Sequence, residues 1–226
     1  MATGRLADKR VLVTSADAFM GPPIVELFRA EGADVTADDS LLLGADEPQQ
    51  LVDRLGDLDV IIANLDLAAY GAKVADIEDA KWLEGFDAMV HPLMRLVRAA
   101  TPRMVERGGG SIVVTGSSSP LRRMRPQAPS YVAARAAQNS FVRSAGHELA
   151  RHNIRLNAIA QNYVANPTYY PPELMENERF LERLSAEVPA QRLGRSEETA
   201  ELALFLAGDS STFIFGQLIQ LDGGWS

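Results

Sequence analysis

Tyr131 and Arg135 stand four residues apart at the start of the helix-forming stretch Tyr131-Val132-Ala133-Ala134-Arg135. At that spacing both side chains lie on one helical face, close enough for their tips to meet. Upstream, Ser117-Ser118-Ser119 follow the apolar run Ile112-Val113-Val114, at the carboxyl edge where open α/β sheets bind ligands. A phenol, a guanidinium and a serine hydroxyl together suit general-base catalysis. A free tyrosine titrates near pH 10, and a cation about 5 Å away at an effective dielectric of about 20 favours the phenolate by roughly 3 kcal/mol. That corresponds to about two pK units before opposing desolvation, enough for a base near neutrality. The serine would orient a substrate oxygen by a hydrogen bond. By spacing alone, however, such a Tyr and Arg pair is usually surface decoration, so the elements that position it decide the matter.

Those elements alternate. Short β-branched runs are followed by longer helical stretches, the pattern of a parallel sheet covered by helices on both faces. Strands are expected at Arg10 to Thr14, Ala33 to Ala37, Leu58 to Asn64, Ser111 to Gly116, Ile154 to Ala160 and Gln217 to Leu221. Helices are expected at Pro22 to Glu31, Gln49 to Leu55, Asp87 to Arg107, Tyr131 to His152 and Glu197 to Ala207. The 226 residues suffice for one such domain, a Rossmann-like doubly wound sheet over residues 1–226. One irregular stretch, Gln161 to about Glu176, has the length of a binding loop and carries Tyr169-Tyr170-Pro171-Pro172.

In a doubly wound sheet, a dinucleotide pyrophosphate sits on the first helix N-terminus, after a glycine-rich turn. Here the turn reads Thr14-Ser15-Ala16-Asp17-Ala18-Phe19-Met20-Gly21-Pro22-Pro23 and keeps only the last glycine. Phe19 puts a ring where backbone and phosphate should approach, and Asp17 adds like charge. Pro22 and Pro23 lack the N–H groups an anion would use. The plain alternative is an ordinary turn with a core phenylalanine.

Over nearly its whole length the sequence resembles the short-chain dehydrogenase/reductase superfamily. The resemblance rests on the Ser…Tyr helix segment, on Asn64 at that superfamily's Asn-Ala-Gly motif, and on the ending Pro189-Ala-Gln-Arg192-Leu-Gly194…Glu198…Phe205-Leu206…Gly216-Gln217…Asp222-Gly223-Gly224. The departures concentrate on cofactor contacts. Ser15 and Phe19 replace the first two glycines of Thr-Gly-x-x-x-Gly-x-Gly, and Arg135 replaces the lysine of Tyr-x-x-x-Lys. Asn64-Leu65-Asp66 replaces Asn-Ala-Gly, and Gln161-Asn162 replaces Pro-Gly.

This combination resembles the halohydrin dehalogenases, whose motifs are Thr-x4-(Phe or Tyr)-x-Gly and Ser-x12-Tyr-x3-Arg. Thr14, Phe19 and Gly21 match the first; Ser118, Tyr131 and Arg135 match the second. Aligning from the strand would nominate Ser117 instead. The resemblance implies that Tyr131 removes the hydroxyl proton of a vicinal haloalcohol, the alkoxide displaces the neighbouring halide, and an epoxide forms. In reverse, azide, cyanide or nitrite would open an epoxide. It further implies Ser118 on the substrate oxygen, Arg135 lowering the tyrosine pKa, and a halide site of Phe19, Gln161, Asn162, Tyr163 and Val164. No cofactor is required, because no hydride moves, and a homotetramer built on the two long helices is expected. Two alternatives are a divergent NAD(P)-dependent reductase and a non-catalytic binding protein of the same superfamily.

Composition narrows the partners. Lys plus Arg number 22 against 30 Asp plus Glu, a net charge of -8, which disfavours nucleic acid and anionic membranes. Small molecules (haloalcohols, epoxides and halide ions) are the expected partners. The absence of cysteine excludes disulfides and a thiol nucleophile. The N-terminus lacks a signal peptide's apolar stretch, so the chain reads as soluble and cytoplasmic. His91, His147 and His152 lack metal-ligand spacing with any carboxylate cluster, and no metal is expected. Asp38 and Asp39 read as relics of an adenine-ribose site or as surface charge. Arg122 to Arg125 reads as a solvated loop.

Overall fold

The computed structural model describes residues 4–69, 71–122 and 128–226. Six parallel strands form one sheet in the order β2-β1-β3-β4-β5-β6. They are β1 (Arg10–Thr14), β2 (Asp34–Asp38), β3 (Val60–Ala63), β4 (Gly110–Ser117), β5 (Ile154–Gln161) and β6 (Leu218–Leu221). The helices are α1 (Gly21–Ala30), α2 (Glu47–Leu55), α3 (Asp79–Gly85), α4 (His91–Glu106), α5 (Pro129–Leu149), α6 (Glu178–Glu187) and α7 (Ser196–Ala207). This is a single-domain, Rossmann-like α/β fold.

Alternation along each strand divides the core in two. Leu12, Ile61, Ile112, Val114 and Leu156 pack with α2, α4 and α5 on one face. Val11, Val13, Ile62, Val113 and Ile159 pack with α1 and α7 on the other. Strands buried on both faces read as continuous apolar runs, which is why β1, β3 and β4 stand out in the sequence. The strand order reverses at β1, so the crevice between the carboxyl ends of β1 and β3 is the expected ligand site of such a sheet.

The helix expected at Asp87 to Arg107 is interrupted. Residues Phe86–Val90 form a π turn between α3 and α4, in which the His91 N–H bonds the carbonyl of Phe86. Pro92 follows at once and has no N–H to continue an ordinary ladder. His91 bonds Asp87 at 2.9 Å on an exposed face. Helix α5 packs closely on the sheet: a Cβ at Gly146 would lie 2.5 Å from the Gly216 Cα. That contact, at its carboxyl end, helps fix where its amino end presents Tyr131.

Candidate active site

Helix α5 starts with Pro129, whose fixed φ suits a first turn and whose missing N–H costs nothing there. Tyr131 follows, half-buried, and Arg135 lies one turn further at 1% exposure. Arg135 Nε donates to the Tyr131 hydroxyl at 3.1 Å. Its Nη1 reaches the carbonyls of Leu65 and Thr115, both at 3.2 Å, and Gln138 Oε1 at 2.8 Å. Gln138 in turn donates to the Met89 carbonyl inside the π turn at 2.8 Å. Thus the π turn, β4 and the loop after β3 all hold the guanidinium in place.

Arg135 also forms a buried ion pair with Asp66. Burial drives the Asp66 carboxyl above its ordinary range, and Arg135, the Leu67 N–H and Tyr169 oppose it. Burial acts to lower the Arg135 pKa, but the charges of Asp66, Tyr131 and Tyr169 hold it raised. The guanidinium beside Tyr131 is therefore shared with a carboxylate and is not a lone cation. The Tyr169 hydroxyl donates to Asp66 Oδ1 at 3.0 Å and also meets the Leu67 carbonyl. Its phenol is pushed upward by burial first and then by the neighbouring Tyr131 and Asp66.

The turn after β1 holds two non-glycine residues in the backbone region that glycine adopts most easily. Ser15 and Phe19 have φ of +43° and +50°, the left-handed region that costs a residue with a Cβ roughly 1–2 kcal/mol. Gly21 remains because a Cβ there would lie 2.4 Å from the Ser15 carbonyl. Asn64 fixes the turn, donating to the carbonyls of Ser15 at 2.8 Å and Ala18 at 2.9 Å, while Thr115 Oγ1 donates to Asn64 Oδ1 at 2.9 Å. Ser15→Gly is expected to raise stability by about 0.5–1 kcal/mol, the relieved strain less glycine's entropy, measured by urea unfolding.

These residues do not fit a dinucleotide. The Phe19 ring lies 6.2 Å from that of Tyr169, which lies 6.4 Å from that of Tyr131, so aromatic side chains span the gap from phosphate turn to phenol. The Asp17 carboxyl is pushed up by its hydrogen bond with Asp39 and by that residue's charge, marking the turn as a poor place for a phosphate. Asp38 is engaged by Arg54 at 3.1 Å.

A cavity of about 190 Å³ opens at the carboxyl edge, lined by Tyr131, Arg135 and Asp66 together with Ser117, Ser119 and Tyr169. Gln161, Asn162, Tyr163 and Val164 line it as well, in the loop expected to face a ligand. Phe19 stands behind Tyr169 and is not among the lining residues. Ser118 is also not among them: its N–H bonds the Gln161 carbonyl at 3.1 Å, continuing the strand pairing, so its side chain is turned from the face that Ser117 presents. The Ser118 hydroxyl is buried and without a hydrogen-bond partner among the described residues. Geometry thus favours Ser117 over Ser118 as the serine that meets a ligand. Ser117 donates to Ser119 Oγ at 2.8 Å.

The loop is pinned from outside. Val164 bridges to Gly194, and the Gly194 N–H bonds the Tyr163 carbonyl at 2.8 Å. Glu198, in the first turn of α7, holds that segment by accepting from Arg195 N at 2.7 Å and from Arg192 at 2.9 and 2.8 Å. Its carboxyl is lowered to about 2, first by Arg192 and then by the Arg195 N–H. Because the folded value lies below the unfolded one, this contribution is present above about pH 4.5 and is lost as the pH falls toward 2. Glu198→Gln is expected to cost about 1 kcal/mol at neutral pH and progressively less in acid, read by thermal unfolding across that range.

Tyr163 stacks on Tyr170 at 5.9 Å, and Trp225 packs beside it at 6.1 Å within a cluster containing Phe180, Leu184 and Val188. Trp225 is 6% exposed and serves this core, so it does not reach outward. The Arg122 guanidinium lies 5.0 Å from its ring centroid. Arg123, Met124 and Arg125 lie outside the described residues. Among the described residues no cluster of His, Asp and Glu is arranged to hold a metal ion, and no helix is long and apolar enough to cross a membrane.

The sequence missed Asp66 as a site member, and it offered Tyr169 and Tyr170 equally as residues that close over a substrate or pack against a neighbour; both line the cavity. Asp66 was visible only as a lost glycine, and Tyr169 only as one of two loop aromatics. Both are defined by contacts between distant segments.

Comparison with known proteins places the chain in a family. The family model described as Enoyl-(Acyl carrier protein) reductase matches residues 29–226, and the chain belongs to this branch of the short-chain dehydrogenase/reductase superfamily. Within that superfamily it is similar to a solved structure described as a dehalogenation enzyme: 31% identity, TM-score 0.89, covering 98% of this chain and 99% of the other. It is also 28% identical to the 3-oxoacyl-(acyl-carrier-protein) reductase of Thermotoga maritima, over 97% of this chain and 98% of that one. An uncharacterized oxidoreductase of Schizosaccharomyces pombe is 28% identical over 99% of this chain and 86% of its own length.

Proposed function

We propose that the chain is a halohydrin dehalogenase, a carbon–halide lyase converting vicinal haloalcohols to epoxides with release of halide and a proton. In reverse it would open epoxides with small anions such as azide, cyanide or nitrite. The observation that carries this reading is the Tyr131 hydroxyl, 3.1 Å from a buried guanidinium on the wall of a small cavity beside a phosphate turn filled by side chains. Similarity to the dehalogenation enzyme supports it.

Tyr131 as phenolate takes the substrate hydroxyl proton, and the oxygen lone pair closes on the neighbouring carbon as the carbon–halogen bond breaks. Ser117 orients the substrate oxygen from the same wall. The halide leaves toward Asn162, Tyr163 and Val164, with the Tyr169 and Phe19 rings excluding water on the other side. An acidic chain of net charge -8 holds an anion by such local contacts, not by its overall field. We extend the proposal to a homotetramer assembled on α4 and α5, to be checked by light scattering.

The reductase relatives favour a second reading, reduction of a carbonyl by NAD(P)H. Incubating the protein with a vicinal bromo- or chloro-alcohol and identifying the product by mass spectrometry separates the two. An epoxide formed without nucleotide, and its ring-opened azido alcohol on adding azide, is the expected result. Absence of epoxide, with saturable NADH or NADPH binding, would replace the first reading by the second.

A further inference from the structure

A substrate oxygen that loses its proton to Tyr131 gains negative charge, and a positioned donor stabilises it most while that charge develops. The Arg135 guanidinium is engaged by the Tyr131 hydroxyl, the Leu65 and Thr115 carbonyls, Gln138 and Asp66. Two serines stand on the same cavity wall, Ser117 and Ser119, each 3% exposed.

The backbone fixes this pair. Ser117 is the last residue of β4, paired with Gln161 of β5, and its carbonyl accepts from Asn139 Nδ2 at 3.0 Å. The chain then turns: the Leu121 N–H bonds the Ser118 carbonyl at 2.8 Å, and the Ser119 N–H bonds Ser117 Oγ at 3.1 Å. The two hydroxyl oxygens come to lie 2.8 Å apart. A serine hydroxyl has one proton and two lone pairs. Ser117 directs its proton at Ser119 Oγ and gives one lone pair to the Ser119 N–H, so it keeps a single lone pair for a ligand. That lone pair can orient a substrate hydroxyl by accepting from it, but it has nothing to donate to an alkoxide. Ser119 is complementary: its oxygen accepts from Ser117, and among the described residues its own proton is committed to no acceptor. The reverse arrangement, Ser119 donating to Ser117, would leave the spare proton on Ser117, and single variants separate the two.

We infer that Ser119 is a catalytic residue of the dehalogenation, donating the hydrogen bond that stabilises the alkoxide, while Ser117 polarises it through their shared hydrogen bond. The inference rests on the dehalogenase reading. The alcohol proton moves to the Tyr131 phenolate, the oxygen lone pair closes on the neighbouring carbon, and halide leaves with the carbon–halogen electron pair. Ser119 keeps its proton throughout. Its hydrogen bond strengthens as charge gathers on the oxygen and weakens in the neutral epoxide, so its contribution falls on the rate and not on substrate affinity. In reverse, the same hydroxyl receives the epoxide oxygen as an anion opens the ring.

Ser119→Ala removes the hydroxyl and leaves the backbone N–H that bonds Ser117. In single-turnover kinetics, with protein in excess over a vicinal chloropropanol, the saturating rate of chloride release is expected to fall ~10²- to 10³-fold, the range for one such donor. The concentration giving half the saturating rate should stay within about twofold, as for an interaction made only in the transition state. With the trifluoromethyl analogue of that alcohol the loss should be smaller, because the fluorines already stabilise the alkoxide. Ser117→Ala should raise the half-saturating concentration as well as slow release. Ser119→Ala releasing chloride at the wild-type rate would place the donor on Ser117 and overturn the inference, and so would an equal loss with both alcohols, the mark of a structural role. Either result leaves the dehalogenase reading intact. Failure of the unmodified protein to release halide would overturn both.

Discussion

Tyr131→Phe is expected to fold as the unmodified protein does and to release halide from a vicinal haloalcohol ~10²- to 10⁴-fold more slowly, the range that a positioned general base contributes. The substitution preserves the aromatic contact with Tyr169 at 6.4 Å and the ring 5.2 Å from the Arg135 guanidinium carbon. What disappears is the oxygen that Arg135 Nε holds at 3.1 Å. Arg135 keeps Leu65, Thr115, Gln138 and Asp66 as partners, so the stability loss should stay near that of one charged hydrogen bond, about 1.5–3 kcal/mol. Halide release and circular dichroism on the same preparation measure the two effects separately. Retained activity would remove Tyr131 from the reaction.

Arg135→Met should be the most destabilising single change in the site. It leaves Asp66 buried without its counter-ion and strips two backbone carbonyls and Gln138 of their donor, a loss of about 3–5 kcal/mol by analogy with broken buried pairs. The pH dependence has a definite sign. The Asp66 carboxyl already titrates above its unfolded value, and removing the guanidinium raises it further. A raised carboxyl contributes stability that is fully present below about pH 4 and lost as the pH rises through the folded value. The gap between variant and unmodified protein should therefore be small in acid and widest near neutrality, as read from urea midpoints. Arg135→Lys retains charge but cannot reproduce the forked contacts, so it should recover part of the stability. A gap independent of pH would show that Asp66 is not the group left exposed to the loss.

Both effects depend on a residue that periodicity could not reveal. Strand β1 was legible at Arg10–Thr14 because both its faces are buried, and the four-residue spacing of Tyr131 and Arg135 required no tertiary information. Asp66 is different: it acquires meaning only because the loop after β3, the start of α5 and the loop after β5 meet at one edge of the sheet. The same holds for the two serines. Counting back from Tyr131 selects Ser118, whereas the last paired residues of β4 and β5 turn Ser117 toward the cavity. Two helices were absent from the pattern reading. Helix α3 is short and runs into the π turn that Pro92 follows, so its pattern merges with that of α4. Helix α6 lies beyond a proline-rich loop; its signals were Asn177, whose side chain caps the Phe180 N–H at 3.1 Å, and the Phe180 and Leu184 pair one turn apart. The left-handed backbone at Ser15 and Phe19, a conformation that glycine adopts most easily, was not legible from those residue types.

The central claim is that the cavity breaks a carbon–halogen bond without a nucleotide. Its most direct test is to strip the protein of any bound nucleotide, add a vicinal chloro-alcohol in weak buffer, and record chloride and proton release together. The account predicts chloride and protons appearing at equal rates, catalytic in protein and undiminished by omitting NADH and NADPH. No chloride above the protein-free control, or turnover only on adding a reduced nucleotide with its oxidation, would contradict it.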